Sequence, residues 1–370
     1  MRSLRILAAG VGLCLPRLLA GQTAAGATPA PPAIEVHGFV STSFSYGFNQ
    51  PPPRANQFRV FDFDDDMFRI DEIELVALHA AAAPGDLGFR VDFTAGAVSR
   101  VAASRGLFRD STGEGQDIDV HQAFVSWVAP LGRGLRLDAG KFVTGLGYEV
   151  IEGYDGWNDN ATHSFLFGYA IPFTHTGVRA SYALSPAVTA MLMVANGWDD
   201  VQDNNRGKTV HLQLGLTPSP RLAVYLNGIA GPEQNDDDVH YRDVVDVAAT
   251  WKATDLVGFG LNGDWGRETA AAPGGRMAVW RGAAAYLRLA PARTLALSVR
   301  AEVFDDRDGA RTGTAQTLRE VTLTPELRLG PSVVVRSDLR VDGSDRPVFD
   351  APRGLVRSQP TISLNALYHF

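Results

Sequence analysis

The chain is nearly devoid of the side chains on which disulfide and zinc chemistry depend. Its 370 residues include one cysteine, Cys14, so a disulfide framework and a cysteine-ligated zinc site are both excluded. Lysine is almost as rare, with three in the whole chain, and the net charge is −7. A general nucleic-acid binder is expected to be basic, so we predict no nucleic-acid partner.

Long hydrophobic runs are also scarce. The chain is 45% hydrophobic with a mean hydropathy of −0.05, which excludes a polytopic helical membrane protein. Residues 160–178 and 180–198 carry no charge, and a sliding window would mark them as transmembrane helices. Both stretches contain proline and several serine, threonine, asparagine or glycine residues, which favour strands over helices.

The N-terminus has the composition of a secretory signal peptide. Arg2 and Arg5 precede an apolar run over residues 6–15, and small residues follow as far as Ala27. This pattern predicts a signal peptide over residues 1–27, a short linker over 28–33 and one mature domain over 34–370. Removal of the signal peptide would take three arginines and no acid, and would change the net charge from −7 to −10.

From Ile34 onward, apolar side chains recur at every second position. Between Val321 and Leu329, for example, they alternate with Thr322, Thr324 and Glu326. The same period occurs over residues 222–227, 245–252, 295–303 and 333–341. A period of two is typical of strands with one polar and one apolar face, so the sequence predicts an all-β protein.

The connections between these strands alternate between short and long. Seven short turns separate eight longer polar loops, near residues 47–66, 97–117, 143–172, 196–207, 230–242, 266–276, 304–315 and 342–357. Fifteen connections join sixteen strands, and both termini then lie on the short-turn side. This plan predicts a transmembrane antiparallel β-barrel of the bacterial outer membrane, with short periplasmic turns and long extracellular loops. A bilayer accepts a sheet only when every edge is closed, and sixteen strands leave room for an aqueous lumen.

The composition of the two strand faces favours this barrel over a soluble β-sandwich. The apolar positions are rich in alanine, valine and leucine, as lipid contact requires. Eight acidic residues and ten basic residues fall on the polar positions, so the predicted wall is nearly balanced at +2. The basic residues are Arg90, Arg136, Arg179, Arg221, Lys252, Arg288, Arg300, Arg328, Arg336 and Arg340. As residues of the lumen wall we single out Arg136, Arg179, Arg300, Arg328, Arg336 and Arg340.

The last strand supports the same interpretation. Apolar side chains occupy alternate positions up to Tyr368 and Phe370, and polar side chains occupy the positions between them. A chain that ends in phenylalanine after such a strand resembles the signal that the outer-membrane assembly machinery reads. We therefore predict that Tyr368 and Phe370 form the assembly signal.

Several motifs resemble one known family of such barrels. Residues 140–182 contain GKFVTGLGYEVIEGYDGWN and FGYAIPFTHTGVRASY, and similar segments are VFDFDDDMF at 60–68 and NGWDDVQDNNRGKT at 196–209. These segments resemble the OmpL-like putative β-barrel porin-2 family, and the resemblance runs from about Phe39 to Phe370. It implies an outer-membrane porin-like barrel, without a defined substrate or catalytic residues.

Loop 143–172 is the candidate constriction of the channel. It contains Glu149, Glu152, Asp155 and Asp159 and no lysine or arginine, which gives a local charge of −4. It also contains six tyrosine, tryptophan and phenylalanine side chains, which favour a packed loop over a solvated one. Folded into the lumen, this loop would give a passive channel for small hydrophilic solutes with a weak preference for cations. If it stays outside, the wall arginines would favour anions.

Other functions have less support in the residues. Asp62, Asp64 and Asp66 suggest a calcium clamp, but the EF-hand glycine and glutamate positions hold Met67 and Ile73, so a solvated acidic loop is preferred. A hydrolase could use His163, Ser164 and His175, yet no G-x-S-x-G elbow is present. We therefore predict no enzyme, no metal and no cofactor. A non-conducting adhesive barrel remains the alternative, and lipid and lipopolysaccharide are the expected surroundings.

Overall fold

The computed structural model describes residues 34–110 and 113–370, and the predicted signal peptide and linker lie outside these residues. The described chain forms sixteen strands and two short helices. Their bounds are β1 Glu35–Gly47, β2 Met67–His79, β3 Leu87–Ala95, α1 Ala97–Ala102, β4 Ile118–Ala129, β5 Leu135–Val143, α2 Phe165–Tyr169, β6 Thr174–Ser185, β7 Val188–Ala195, β8 Thr209–Ser219, β9 Leu222–Pro232, β10 Tyr241–Lys252, β11 Val257–Ala272, β12 Arg276–Ala292, β13 Leu295–Asp306, β14 Gln316–Arg328, β15 Val333–Ser344 and β16 Ser358–His369.

The strands close into a single barrel. Each strand pairs antiparallel with its neighbours in sequence, and β16 pairs with β1, so that His369 lies opposite Phe39. Closure satisfies the backbone hydrogen-bonding groups that an open sheet edge would leave unpaired. The prediction of an antiparallel barrel with sixteen strands is confirmed.

The period of two in the sequence separates an apolar outer face from a polar inner face. In β14, Val321 is 55% exposed, whereas its neighbours Glu320 and Thr322 are buried inside the barrel. Leucine and valine side chains of the other strands, such as Leu212 and Leu261, are similarly exposed on the outside. An exposed apolar band around a closed barrel is the surface that lipid contact requires.

One predicted loop is instead a tight turn. The sequence suggested a long loop over residues 266–276, but β11 and β12 continue as a hairpin that turns at residues 273–275. Gly274 and Gly275 both have a positive φ, of 78° and 72°, a conformation that glycine adopts without steric cost. The polar residues before this turn belong to β11, which extends past the end of its pairing with β10.

The inside of the barrel is filled rather than empty. Side chains of α2 pack on inward-facing aromatics, including Trp280 of β12 and Phe304 of β13, to form a buried apolar cluster. Among the described residues, no helix has the length and apolar character needed to cross a bilayer. The hydrophobic core therefore lies where the connection between β5 and β6 enters the barrel.

Candidate functional site

The connection between β5 and β6, residues 144–173, lies inside the barrel and is called the lumen loop below. Its helix α2 is capped at the N-terminus by Ser164, whose Oγ accepts a hydrogen bond from the N–H of Phe167 at 3.0 Å. The N–H groups of Phe165 and Leu166 donate to the Glu302 carboxylate of β13, at 2.6 and 3.0 Å. The N–H groups at the start of a helix lack intrahelical acceptors, so a wall carboxylate is a favourable partner.

Each of the four acidic residues singled out in the loop contacts an arginine of the wall. The pairs are Glu149 with Arg300, Glu152 with Arg336, Asp155 with Arg90 and Asp159 with Arg288, each with a nitrogen–oxygen distance of 2.8 Å. Burial raises the pKa of the Asp159 carboxyl, and the charge of Arg288 opposes that rise. The loop charge of −4 thus lies against four guanidinium groups. Three of them, those of Arg90, Arg288 and Arg300, also bind a strand carboxylate.

Three wall arginines also hold the loop backbone. Arg300 donates to the carbonyl oxygen of Thr162 at 2.5 Å, and Arg340 donates to that of His163 at 2.5 Å. Arg336 donates to the carbonyl oxygen of Asn158 at 2.6 Å. The arginine side chains are fully buried, so these charge-assisted bonds form away from bulk water and fix the position of the loop.

The other predicted wall arginines contact strand carboxylates. Arg136 and Arg179 share the single carboxylate of Asp138, and Arg328 binds Glu326. These three arginine side chains are about one quarter exposed. Arg136 and Arg179 therefore face the part of the lumen that the loop fills least, whereas Arg328 lies beside Trp157 of the loop.

The wall charge of +2 expected from the sequence is wrong. Arg221 and Lys252 lie at the short-turn rim, where both side chains are 56% exposed and approach Asp255. In β2 a β-bulge turns both Asp71 and Glu72 inward, although strict alternation would place them on opposite faces. The wall is therefore more acidic than the alternation indicated.

Basic and acidic groups inside the barrel differ in how completely they are paired. Every inward-facing arginine or lysine of the described strands has a carboxylate partner. By contrast, within the described part of the chain, no ion pair with lysine or arginine is formed by the inward carboxylates of Glu72, Glu74, Asp246, Asp264, Glu302 and Asp338. Asp246 and Asp264 lie directly opposite each other on β10 and β11. Among the described residues, the carboxyl groups that face the inside of the barrel therefore outnumber the arginine and lysine side chains.

The lumen loop reaches the short-turn end of the barrel, which the sequence did not indicate. The Trp157 ring lies 4.9 Å from the His369 ring and 5.8 Å from the guanidinium carbon of Arg328. The Tyr154 ring stacks on His37 of β1 at 4.0 Å. Aromatic side chains near the middle of the loop were the available signal, since so much apolar surface is rarely left in water.

The residues of the rejected alternatives have structural roles. The three aspartates form ion pairs with three different arginines: Asp62 with Arg59, Asp64 with Arg69 and Asp66 with Arg54. His163 lies between Phe61 and Phe167, and His175 contacts Thr144 and the carbonyl oxygen of Gly197. Within residues 34–110 and 113–370, no group of three or more histidine, cysteine or carboxylate side chains could hold a metal ion.

The two residues of the predicted assembly signal lie on the outer face of β16 at the short-turn end. Tyr368 is 46% exposed and Phe370 is 57% exposed, and their ring centroids are 6.1 Å apart. The backbone of Phe370 exchanges two hydrogen bonds with Gly38 of β1, at 3.1 and 3.2 Å. The last residue of the chain thus takes part in closing the barrel.

A closed barrel with an apolar belt, a charged lumen and an internal loop has the architecture of an outer-membrane porin. The chain belongs to the putative β-barrel porin-2 family, described as OmpL-like, whose sequence profile matches residues 33–370. This membership confirms the resemblance seen in the sequence motifs and places the protein in the bacterial outer membrane. No curated protein matches the chain.

Solved porins share the fold at low sequence identity. The anion-selective porin from Comamonas acidovorans is 11% identical, with a TM-score of 0.58, over 91% of this chain and 99% of that one. The outer-membrane channel DcaP of Acinetobacter baumannii is 11% identical, with a TM-score of 0.60, over 91% and 97%. OprB of Pseudomonas putida is 12% identical, with a TM-score of 0.58, over 91% and 94%. At these identities the likeness concerns the fold alone.

Proposed function

We propose that the protein is a passive channel for small hydrophilic solutes, with the lumen loop as its constriction. The observation that carries this proposal is the set of four pairs between loop acids and wall arginines inside a closed barrel. Membership of a porin family supports a channel rather than an enzyme. In the proposed orientation the long loops are extracellular, and the short turns and both ends of the described chain face the periplasm.

The paired charges would select solutes by polarity. Carboxylates on the loop opposite guanidiniums on the wall create a field across the passage, perpendicular to the direction of flow. Such a field orients polar solutes and retards apolar ones, because the low-dielectric walls focus it within the narrow part of the lumen. Solutes pass beside the loop, which fills the centre of the barrel.

The proposed ion preference is weakly cationic. Each loop acid is paired with an arginine, but three of these arginines also serve a strand carboxylate. The preference therefore comes from the excess of carboxylates over arginines, which includes the wall residues Glu74 and Asp338. A competing anion preference would follow if ions pass near Arg136 and Arg179, which share one carboxylate. Salt screens charges beyond about 8–10 Å, so groups close to the passage decide the preference.

Single-channel recording in planar bilayers tests the proposal. We expect discrete conductance steps, a reversal potential of cation-selective sign across a potassium chloride gradient, and exclusion of larger members of a sugar series. Replacement of Glu149, Glu152, Asp155 and Asp159 by the matching amides removes four negative charges and should shift the reversal potential towards anions. Arg90, Arg288 and Arg300 each keep a strand carboxylate in this variant.

A matched control removes four acids from the long-loop rim, by replacing Asp203, Asp236, Asp237 and Asp238 with asparagine. The control should leave the reversal potential close to that of the unmodified protein. Absence of conductance would favour the adhesive barrel, and an unchanged reversal potential in the loop variant would place the loop away from the ion path.

A further inference from the structure

A small cavity lies between the lumen loop and the wall formed by β16, β1 and β2. It encloses about 40 Å³, room for about three water molecules. The wall contributes the hydroxyls of Ser41, Ser43 and Ser363, and Phe61 of the β1–β2 connection lines it from the long-loop side. None of the four constriction pairs fills this space, although Glu152 is at its edge.

The lining of the cavity is acidic. Five carboxylates line it, from Asp62, Asp64, Asp71, Glu72 and Glu152. The basic side chains among the lining residues are those of Arg69 and His163. Arg59 and Arg336 bind Asp62 and Glu152 from behind, which brings the balance to five carboxylates and three guanidiniums. Arg69 contacts both Asp71, at 2.7 Å, and Asp64, at 3.5 Å, so one guanidinium serves two acids.

The bulge in β2 is the feature that builds this site. The register of β1 against β2 shifts between Ser41 and Thr42, so Asp71 is the extra residue and Glu72 follows it on the same inner face. Bulges often redirect side chains next to functional sites. Here the bulge places two successive carboxylates in one cavity, where a regular strand would place one.

Two buried groups of the cavity, the Glu72 carboxyl group and the Ser363 hydroxyl, are incompletely paired within the described chain. Glu72 is 2% exposed and forms no ion pair with a described lysine or arginine, and its hydroxyl contacts are Thr94 and the Ser99 Oγ, the latter at 3.5 Å. Ser363 is 7% exposed, and its Oγ has no hydrogen-bond partner within the described chain. An ionised carboxylate is costly to bury without a counter-charge, and an unsatisfied hydroxyl adds to that cost. A cation with hydrogen-bond donors would satisfy both groups.

We propose that this cavity is a binding subsite for a small cation that carries N–H donors, an ammonium or a primary alkylammonium group. The proposal rests on the proposed channel function and names the solute class that the channel favours. The cavity offers carboxylate and hydroxyl acceptors, which match an ammonium group with three donors. Its size admits a methylammonium ion but not a bulky solute in one piece.

Bi-ionic recordings test the subsite, with methylammonium chloride on one side of the bilayer and potassium chloride on the other. We expect Glu72→Gln to lower the permeability of methylammonium relative to chloride by about threefold, the effect of one charge roughly 7 Å from the ion in a water-like dielectric. Ser363→Ala keeps the charge and removes an acceptor. It should lower the permeability of methylammonium relative to tetramethylammonium, which has no N–H donor, and leave that of potassium unchanged.

Asp264→Asn is the matched control, because Asp264 faces inward without an ion pair on β11, seven strands from β2 in the barrel order. Asp264 belongs to the carboxylates that set the general cation preference, so its variant should lower the permeability of all cations alike and by less than Glu72→Gln does. The permeability of methylammonium relative to tetramethylammonium should stay that of the unmodified protein. Equal losses in the Glu72 and Asp264 variants would overturn the subsite and leave a diffuse lumen charge as the cause. A conducting channel whose Glu72 and Ser363 variants behave like the unmodified protein would also overturn the subsite but not the channel. A barrel without conductance would overturn both. Heat-dependent gel migration confirms that each variant is folded.

Discussion

Arg336 of β15 donates two parallel hydrogen bonds of 2.8 Å to the two carboxylate oxygens of Glu152 in the lumen loop. The arginine side chain is fully buried, and that of Glu152 is 10% exposed. Bidentate pairs of this kind fix orientation as well as distance. The same guanidinium also binds Asn365 of β16, so the loop is tied to the strand that closes the barrel.

Breaking this pair should destabilise the barrel and loosen the loop. We expect Arg336→Met to lower the free energy of unfolding by about 3–5 kcal/mol, because Glu152 is left buried without a counter-charge. Urea unfolding in detergent micelles measures this loss, and single-channel conductance should rise as the loop moves more freely. The double variant R336M/E152Q should recover much of the stability, since no charge is then stranded.

An exposed pair on the outside of the barrel provides the control for that measurement. Arg281 and Asp305 are 3.1 Å apart, and the arginine side chain is 63% exposed. Exposed pairs contribute little, so Arg281→Met should change the free energy of unfolding by less than about 1 kcal/mol. A similar loss in both variants would mean that the Arg336 pair has no special role in holding the loop.

Trp157 should hold the tip of the lumen loop at the short-turn end. Its ring packs against His369 and Arg328, contacts worth about 1 kcal/mol each beyond the area that they bury. We expect Trp157→Ala to increase single-channel conductance, because the freed tip no longer fills that end of the lumen. Trp251→Ala, on the outer face and 51% exposed in the unmodified protein, should leave conductance unchanged.

Alternation predicted the barrel well because a strand has only two faces. The inward position of Arg300, Arg336 and Arg340 follows from their polar positions in strands of strict period two. The same rule failed at Asp71, because a bulge adds one residue and reverses the faces beyond it. Local patterns also gave no measure of how far a loop extends, so the contact of Trp157 with the far end of the barrel could not be predicted.

The loops at the long-loop rim should become less stable as the pH rises. Burial raises the pKa of Glu233 to about 7, although its carboxylate accepts hydrogen bonds from the N–H of Trp198 and the Thr209 hydroxyl. The folded state therefore holds a proton that the unfolded state releases near pH 4.5. The resulting stabilisation, on the order of 3 kcal/mol, is complete below pH 4.5 and is lost as the pH rises to about 7.

The test compares urea unfolding of the unmodified protein and of Glu233→Gln at pH 4.5 and pH 8. The glutamine side chain cannot titrate, so the variant should lose less stability than the unmodified protein between these two values. Asp237→Asn is a suitable control, since Asp237 lies on the same rim and its hydrogen bonds with His240 lower its pKa to about 2. Equal pH dependence in all three proteins would show that folding leaves the pKa of Glu233 unchanged.

The terminal phenylalanine should be needed for efficient assembly. Its backbone completes the hydrogen bonds between β16 and β1 at Gly38, and its ring lies so close to Gly38 that a methyl group there would collide with it. Deletion of Phe370 removes both bonds and the exposed ring that we predict the assembly machinery to recognise. We expect a marked fall in the heat-modifiable, folded form in outer-membrane fractions, whereas Phe370→Tyr, which keeps the ring and the backbone, should assemble normally.

Refolding of purified chains into detergent separates the loss of barrel closure from the loss of recognition by the assembly machinery. If the deletion refolds as well as the unmodified chain yet fails to accumulate in cells, recognition is the step that it impairs, and normal accumulation in cells would refute the assembly role of Phe370.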